Sequence, residues 1–342
     1  MEDDKAFGLL INSSINIGDE IQSVAAKRFL PQVDRYVHRE RINKFTNDKK
    51  TKLIMNAWWT RRVWAFPPSD VIEPLLISMH FCSSFRKYNK GVLPKAYKEF
   101  LVKNGPVGCR DTSTVKYLES QGVPAYFSGC MTLTLQANPK IEKKDYIICV
   151  DVDQEVLEEI KQRTNRPVFN ITRKLLPLKI RDRFHLANAM LRIYQSAHCV
   201  VTSRVHVSMP CLALGTPVLM LNPKDNLVKK NIRFGGLKEL CNQVDVDDFM
   251  KNPDIWDFEN PPANPDDYKK LREELIKKCS EFTGYNNEES MIQVDTPIEI
   301  ELIKCMKYTF RVPQRMAYFL EPKKILTLFW RRIILKRDAF DI

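Results

Sequence analysis

The sequence predicts an α/β protein built from two tandem Rossmann-like domains with a cleft between them, followed by a basic amphipathic helix. Three observations predict this. Short apolar runs alternate with helical segments from residue 6 to residue 221, the rhythm of βα units and a mostly parallel sheet. A polar stretch at 135–144, holding Pro139 and several lysines, interrupts that rhythm before a second series begins. At 342 residues the chain is also long for a single core.

In the first series, 6–11 reads as a buried strand, 12–19 as a loop and 20–30 as a helix stopped by Pro31. Residues 52–56 and 75–80 read as strands, and 94–103 as a helix. A second helix spans 112–121, with Asp111 as its N-cap and Gly122 at its end, and 125–128 reads as a short strand. In the second series, 145–150, 168–171, 199–202 and 217–221 read as strands. Helices at 154–164, 183–196 and 204–214 lie between them, the last ending at Gly215. The domains are therefore expected at 1–140 and 145–250. Residues 251–342 form a proline-rich crossing, a helix from Asp266 and the tail. In such folds ligands bind outside the carboxyl ends of the strands, which places a site between the two domains.

Three loops at those ends carry candidate chemistry. Asn16-Ile17-Gly18-Asp19 opens a helix, where free backbone N–H groups can hold an anion and a glycine permits close approach. The bland alternative is a tight turn capped by Asp19. Arg110 stands directly before a capped helix, where its guanidinium can fork a carboxylate or phosphate; taken alone, it reads more readily as a surface residue. Val200-Val201-Thr202-Ser203-Arg204-Val205-His206 leads from a buried strand into a helix, placing His206 in the first turn beside Ser203 and Arg204. A histidine there can pass a proton near neutral pH, whereas a lone histidine is often a core residue under a turn. The next strand ends at Asn222-Pro223-Lys224, which brings Lys224 to the same sheet edge.

As an ordered set, these pieces resemble the polysaccharide pyruvyl transferase family. The matching elements are Asn16-Ile17-Gly18-Asp19, Arg110-Asp111-Thr112-Ser113 with Leu118 and Gly122, Ser203-Arg204-Val205-His206, and Gly215-Thr216-Pro217 with Pro223-Lys224. The resemblance implies a GT-B-like arrangement, phosphoenolpyruvate as co-substrate with no other cofactor, and Arg110, His206 and Lys224 lining the donor site. On that basis His206 is the expected general acid, with Ser203 and Arg204 beside the donor. Asp19 is the candidate base toward a sugar hydroxyl, and Asp111 orients Arg110. Asn16 and Gly18 are possible loop contacts. The chain departs from the family pattern in the thin glycine content of its first loop, and nothing beyond Asp266 maps onto a motif.

Charge bears on partners. The net charge is +12, and residues 311–337 hold eight Lys or Arg against one acid, so most of the excess lies in a short tail. Ile325, Leu326, Phe329, Trp330 and Ile333 share one helical face there, the pattern of an interfacial anchor for anionic membrane. A helix packed on the protein is the alternative. The expected acceptor is a sugar on a polyprenyl diphosphate, in surface polysaccharide synthesis, and the expected location is cytoplasmic and peripheral on the inner face of the cell membrane. The acidic start Met1-Glu2-Asp3-Asp4 is unlike a signal peptide, and no apolar run approaches the roughly 18 residues of a bilayer span. Nine scattered cysteines without a CxxC pair fit reduced thiols, and no ligand cluster suggests a metal. No aromatic–basic motif accompanies the charge, so nucleic acid is not an expected partner. Two rival readings stand beside this one: a nucleotide-sugar glycosyltransferase of the same architecture, and a non-catalytic membrane- or nucleic-acid-binding protein.

A chain ending at Glu321 is expected to lose the binding to anionic lipid vesicles that the full-length chain shows in co-sedimentation. Undiminished binding by the shortened chain removes the tail's role.

Overall fold

The computed structural model describes residues 5–12, 14–59, 65–81, 92–173, 179–222, 234–294, 296–298 and 300. Lys224 and the basic tail at 323–337 lie outside these residues.

The first half builds a creased parallel sheet. Its strands are β1 (Ala6–Ile11), β2 (Arg35–His38), β3 (Thr51–Ile54), β4 (Ala57–Trp59), β5 (Ile72–Leu75), β6 (Met79–Phe81), β7 (Val107–Cys109) and β8 (Ala125–Phe127). They pair in the orders β2-β1-β3-β5 and β4-β6-β7-β8. The strand read at 52–56 ends at Ile54, with β4 beginning after a break at 55–56, and the one read at 75–80 is split between β5 and β6. At the second break Ser78 takes a left-handed φ of 52°, held by Ser128 Oγ, which accepts from its N–H, and by Gly129 O, which accepts from its hydroxyl. The ladder still crosses the crease, since Gly108 N donates to Leu76 O at 2.9 Å.

Helix α1 (Ile17–Lys27) begins three residues earlier than the sequence suggests, because Asn16 rather than Asp19 is its cap, accepting from Gly18 N. Helices α2 (Lys95–Lys103) and α3 (Thr112–Ser120) follow, and Asp111 caps α3 through Thr114 N at 2.9 Å, as its sequence suggests.

The second half is a five-stranded, all-parallel sheet. Its elements are β9 (Ile147–Val150), α4 (Gln154–Gln162), β10 (Val168–Ile171), α5 (Ile180–Ser196), β11 (Cys199–Thr202), α6 (Val205–Leu214), β12 (Val218–Asn222), β13 (Asn242–Asp245) and α7 (Val246–Lys251). Every residue of β9 and β11 is buried, as expected of central parallel strands covered on both faces. The strand order β10-β9-β11-β12-β13 reverses direction between β9 and β11, so the switch point lies at the carboxyl ends of those two strands.

The halves are not separate globules on a linker. One core cluster runs from Leu9, Ile21 and Phe29 of the first half to Ile148, Met190, Ile193 and Val200 of the second. Within it α1 packs on α5, and a buried hydrogen-bonded pair crosses the interface: Arg183 Nε donates to Glu20 Oε1 at 2.7 Å. Asn12 joins the pair, giving a hydrogen bond to Glu20 and taking one from Arg183. Helix α8 (Tyr268–Thr283) carries the chain back. Its Phe282 carbonyl accepts from Lys52 Nζ at 2.7 Å, and Arg272 Nη1 bridges Leu133 O and Ala213 O.

Seven described cysteines are buried free thiols; burial pushes Cys199 and Cys241 up to about 12, which leaves them protonated and unreactive. Among the described residues no helix is long and apolar enough to cross a membrane.

Burial pushes the Glu20 carboxyl up to about 8, against the opposing pull of Arg183. The folded state therefore holds a proton that the unfolded chain, near the ordinary value of 4.5, gives up. That contribution to stability is complete below about pH 4.5 and is lost as pH rises toward 8. Thermal melts of Glu20→Gln against the parent at pH 5 to 8 are expected to show the difference shifting in the variant's favour as pH rises. A pH-independent difference contradicts this assignment.

Candidate active site at the junction of the two sheets

The carboxyl edges of the two sheets meet, and the residues at that meeting are mostly polar. His206, in the first turn of α6, is only partly buried. Gly18, in the first turn of α1, lies against its ring. A Cβ built on Gly18 would stand 2.7 Å from His206 Cβ and 2.8 Å from Nδ1, so no other residue fits at 18 without moving the imidazole. Arg110, following β7 and 5% exposed, reaches the other ring nitrogen: its Nη1 lies 2.9 Å from His206 Nε2. A guanidinium only donates, so Nε2 accepts in this arrangement and bears no proton.

Asp19 is 5% exposed beside this pair, with its carboxylate 3.4 Å from Arg39 Nη1. Burial alone would raise the Asp19 carboxyl. Arg39, a hydrogen bond from Ser14 and the nearby His206 and Arg110 outweigh burial and hold it below the usual range. Arg39 is itself fixed by Glu40 at 2.6 Å. The sequence reading leaves Arg39 out because β2, the strand that positions it, was not recognised.

A second cluster sits at the switch point. Asp151, just after β9, takes a left-handed φ of 54°. Its Oδ2 meets Arg173 Nε at 2.9 Å and Arg204 Nε at 3.0 Å, and the Thr172 hydroxyl donates to its Oδ1. Ser203 Oγ donates to the Asp151 carbonyl. Arg173 also ties the halves together, since its carbonyl accepts from Ile17 N, at the start of α1, at 3.0 Å. Asp151 and Arg173 were not singled out from sequence. The signal was present: each lies just past a strand's carboxyl end, as Arg110 does.

The expectation that Asp111 orients Arg110 gives way to different partners. Asp111 is fully buried, and its oxygens are taken by His80 Nδ1, Ser113 Oγ and Thr114. It locks the start of α3 to β6, and Arg110 is positioned by the backbone instead, its N–H donating to Met79 O. His80 is a buried partner of this cap, as its strand-end position suggested.

Arg110, His206, Asp19, Gly18 and Asn16 are thus gathered in one place. Ser203 and Arg204 stand beside them on Asp151, and Lys224 lies outside the described residues. Where the sequence suggested an open cleft, the described residues form a closed seam at the Gly18–His206–Arg110 contact. A cavity of about 480 Å³ lined by Lys140, Lys144, Arg192 and Ile298 opens at the amino edge of the second sheet, away from these residues. Among the described residues no group of His, Cys, Asp or Glu is placed to hold a metal ion.

The model of the polysaccharide pyruvyl transferase family matches residues 77–226. The matched stretch includes Arg110, Asp151, Arg173, Ser203, Arg204, His206 and Lys224. No curated protein matches the chain significantly. Among solved structures it is similar to an uncharacterised protein from Klebsiella pneumoniae, with 17% identity over 67% of this chain and 87% of that one and a TM-score of 0.34. The UDP-GlcNAc 2-epimerase of Methanocaldococcus jannaschii shares 12% identity over 81% of this chain and 99% of that one, with a TM-score of 0.40. The E. coli heptosyltransferase WaaC shares 11% over 70% and 92%, with a TM-score of 0.25.

Gly18→Ala is expected to displace the His206 ring and break its contact with Arg110, at a stability cost of about 1–3 kcal/mol from overpacking. The His206 ring shifts in an NMR spectrum of the folded variant report this. Unchanged shifts contradict the packing described.

Proposed function

We propose that the chain transfers the pyruvyl group of phosphoenolpyruvate onto two hydroxyls of a sugar, forming a ketal and releasing phosphate. The family match supports a transferase of this class. The observation that carries the finer reading is the contact between Arg110 and His206, which joins a fixed cation from one half to a proton-carrying ring from the other.

Phosphoenolpyruvate has a carboxylate, a phosphate and a methylene carbon that must accept a proton. With the donor bound, its carboxylate draws the Arg110 guanidinium away from Nε2, and His206 takes up a proton there. His206 then protonates the methylene carbon as general acid. The central carbon becomes cation-like and is attacked by one sugar hydroxyl. The bond to phosphate breaks, and the second hydroxyl closes the ring. Two C–O bonds form and one breaks; of the two hydroxyl protons, one balances the proton given to carbon and the other leaves with phosphate. Arg110, Arg204 and Lys224 offset charge on the donor and the leaving group.

Asp19, the candidate base, has a carboxyl held below the usual range, which weakens it as a base. It is better suited to stabilise protonated His206 and the cation-like carbon. Metal and further cofactors play no part in this scheme.

The finer architecture is proposed as GT-B-like, its two parallel sheets facing each other through their carboxyl edges. The acceptor is proposed to be a sugar on a polyprenyl diphosphate. The 323–337 tail would then hold the enzyme peripherally on the cytoplasmic face of an anionic membrane.

His206→Gln is expected to lower phosphate release from phosphoenolpyruvate by about 100-fold or more in the presence of a glycan acceptor. Arg110→Ala is expected to raise the donor KM by about tenfold or more. Near-parental turnover in the first variant removes the proton-donor role, and an unchanged donor KM in the second removes Arg110 from the site.

A further inference from the structure

The cluster on Asp151 has no role in the chemistry above beyond Arg204, and its geometry is specific. Two guanidiniums converge on a single carboxylate oxygen, each through Nε, at 2.9 and 3.0 Å. Arg204 donates to that oxygen through Nε, whereas Arg173 Nε lies beside it as an ion pair and, buried, has no hydrogen-bond partner of its own among the described residues. The other carboxylate oxygen is held by Thr172, so the carboxylate is anchored from both sides.

Like charges are costly this close. Burial and the neighbouring Arg204 both act to depress Arg173, against Asp151 and Asp19. One aspartate cannot neutralise two arginines, and a dianion added at the fork would complete the balance. Asp151 also adopts a left-handed backbone that a non-glycine residue takes only at a cost, and such strain gathers at ligand sites. Asp151 and Arg204 follow β9 and β11, the two strands that flank the switch point, and His206 lies two residues beyond Arg204. The Arg173 carbonyl meets the start of α1, one residue from Gly18.

We propose that Arg173 binds the donor phosphate together with Arg204, and that Asp151 is a positioning residue holding the two guanidiniums as one clamp. This rests on the phosphoenolpyruvate reading and extends it to a division of labour. Arg110 takes the carboxylate, the Arg173–Arg204 pair takes the phosphate, and His206 stands between them at the methylene carbon. The same pair then holds the inorganic phosphate product until it leaves.

The test uses the full-length chain and its Arg173→Gln, Arg173→Lys and Asp151→Asn variants, each checked for folding by thermal melt. Donor KM, acceptor KM, kcat and inhibition by inorganic phosphate are measured, with phosphate binding by calorimetry alongside. Arg173→Gln is expected to raise the donor KM and weaken phosphate inhibition about tenfold or more, the loss expected for a charged hydrogen bond. Acceptor KM should stay within about twofold on the same reasoning, since the acceptor meets neither arginine. Arg173→Lys, which retains charge and lacks the fork, should recover part of the phosphate inhibition. Asp151→Asn should raise the donor KM with a smaller change in kcat.

A folded Arg173→Gln or Arg173→Lys with parental donor KM and phosphate inhibition overturns the clamp while the pyruvyl transfer reading stands. Should Arg173→Gln fail to fold, Arg173→Lys and Asp151→Asn decide the question by the same split. A parent chain that binds phosphate through Arg173 without turning over phosphoenolpyruvate upholds the clamp and overturns the reading on which it was built. A parent that does neither overturns both.

Discussion

The seam between Gly18, His206 and Arg110 is the contact on which the rest of the site depends. An imidazole from the second half fits against a bare glycine of the first, while a buried guanidinium holds its far nitrogen. Neither half can arrange this alone. His206 is set by the entry into α6, Arg110 by the ladder bond to Met79 at the end of β7, and Gly18 by the cap at Asn16. The large core shared by α1, α5 and the two sheets keeps these three entry points in register.

Burying so many charges at one junction is tolerable only because they are matched in pairs. Asp19 faces Arg39, Glu40 faces Arg39, and Asp151 faces both Arg173 and Arg204. The pairing is uneven at the switch point, where arginines outnumber acids, and even or acid-rich around Arg39. The surplus of positive charge therefore sits at the carboxyl edge of the second sheet, where an anion can answer it.

Much of this is legible in the sequence, for identifiable reasons. The buried runs 147–150 and 199–202 could only be central parallel strands, and Asp111 and Gly215 mark helix ends by chemistry alone. Arg110 and His206 could be placed at one edge because each follows such a strand. The rest was hidden where tertiary geometry overrides the local pattern. β2 is short and half exposed, so Arg39 had no strand to point from. The crease at Ser78 is a backbone event held by Ser128 and Gly129, 50 residues downstream, and leaves no local trace. Asp111 resembled a partner for its neighbour Arg110, yet His80, brought in by strand pairing, takes the carboxylate.

Helix α8 gives the molecule a mechanical character that a two-domain chain with one linker would lack. The backbone passes from the first half to the second through 135–146, and its later return brings the end of α8 against Lys52 and Arg28. With the shared core between them, these crossings brace the two halves against sliding, so the Gly18–His206 contact keeps its register without any help from a ligand.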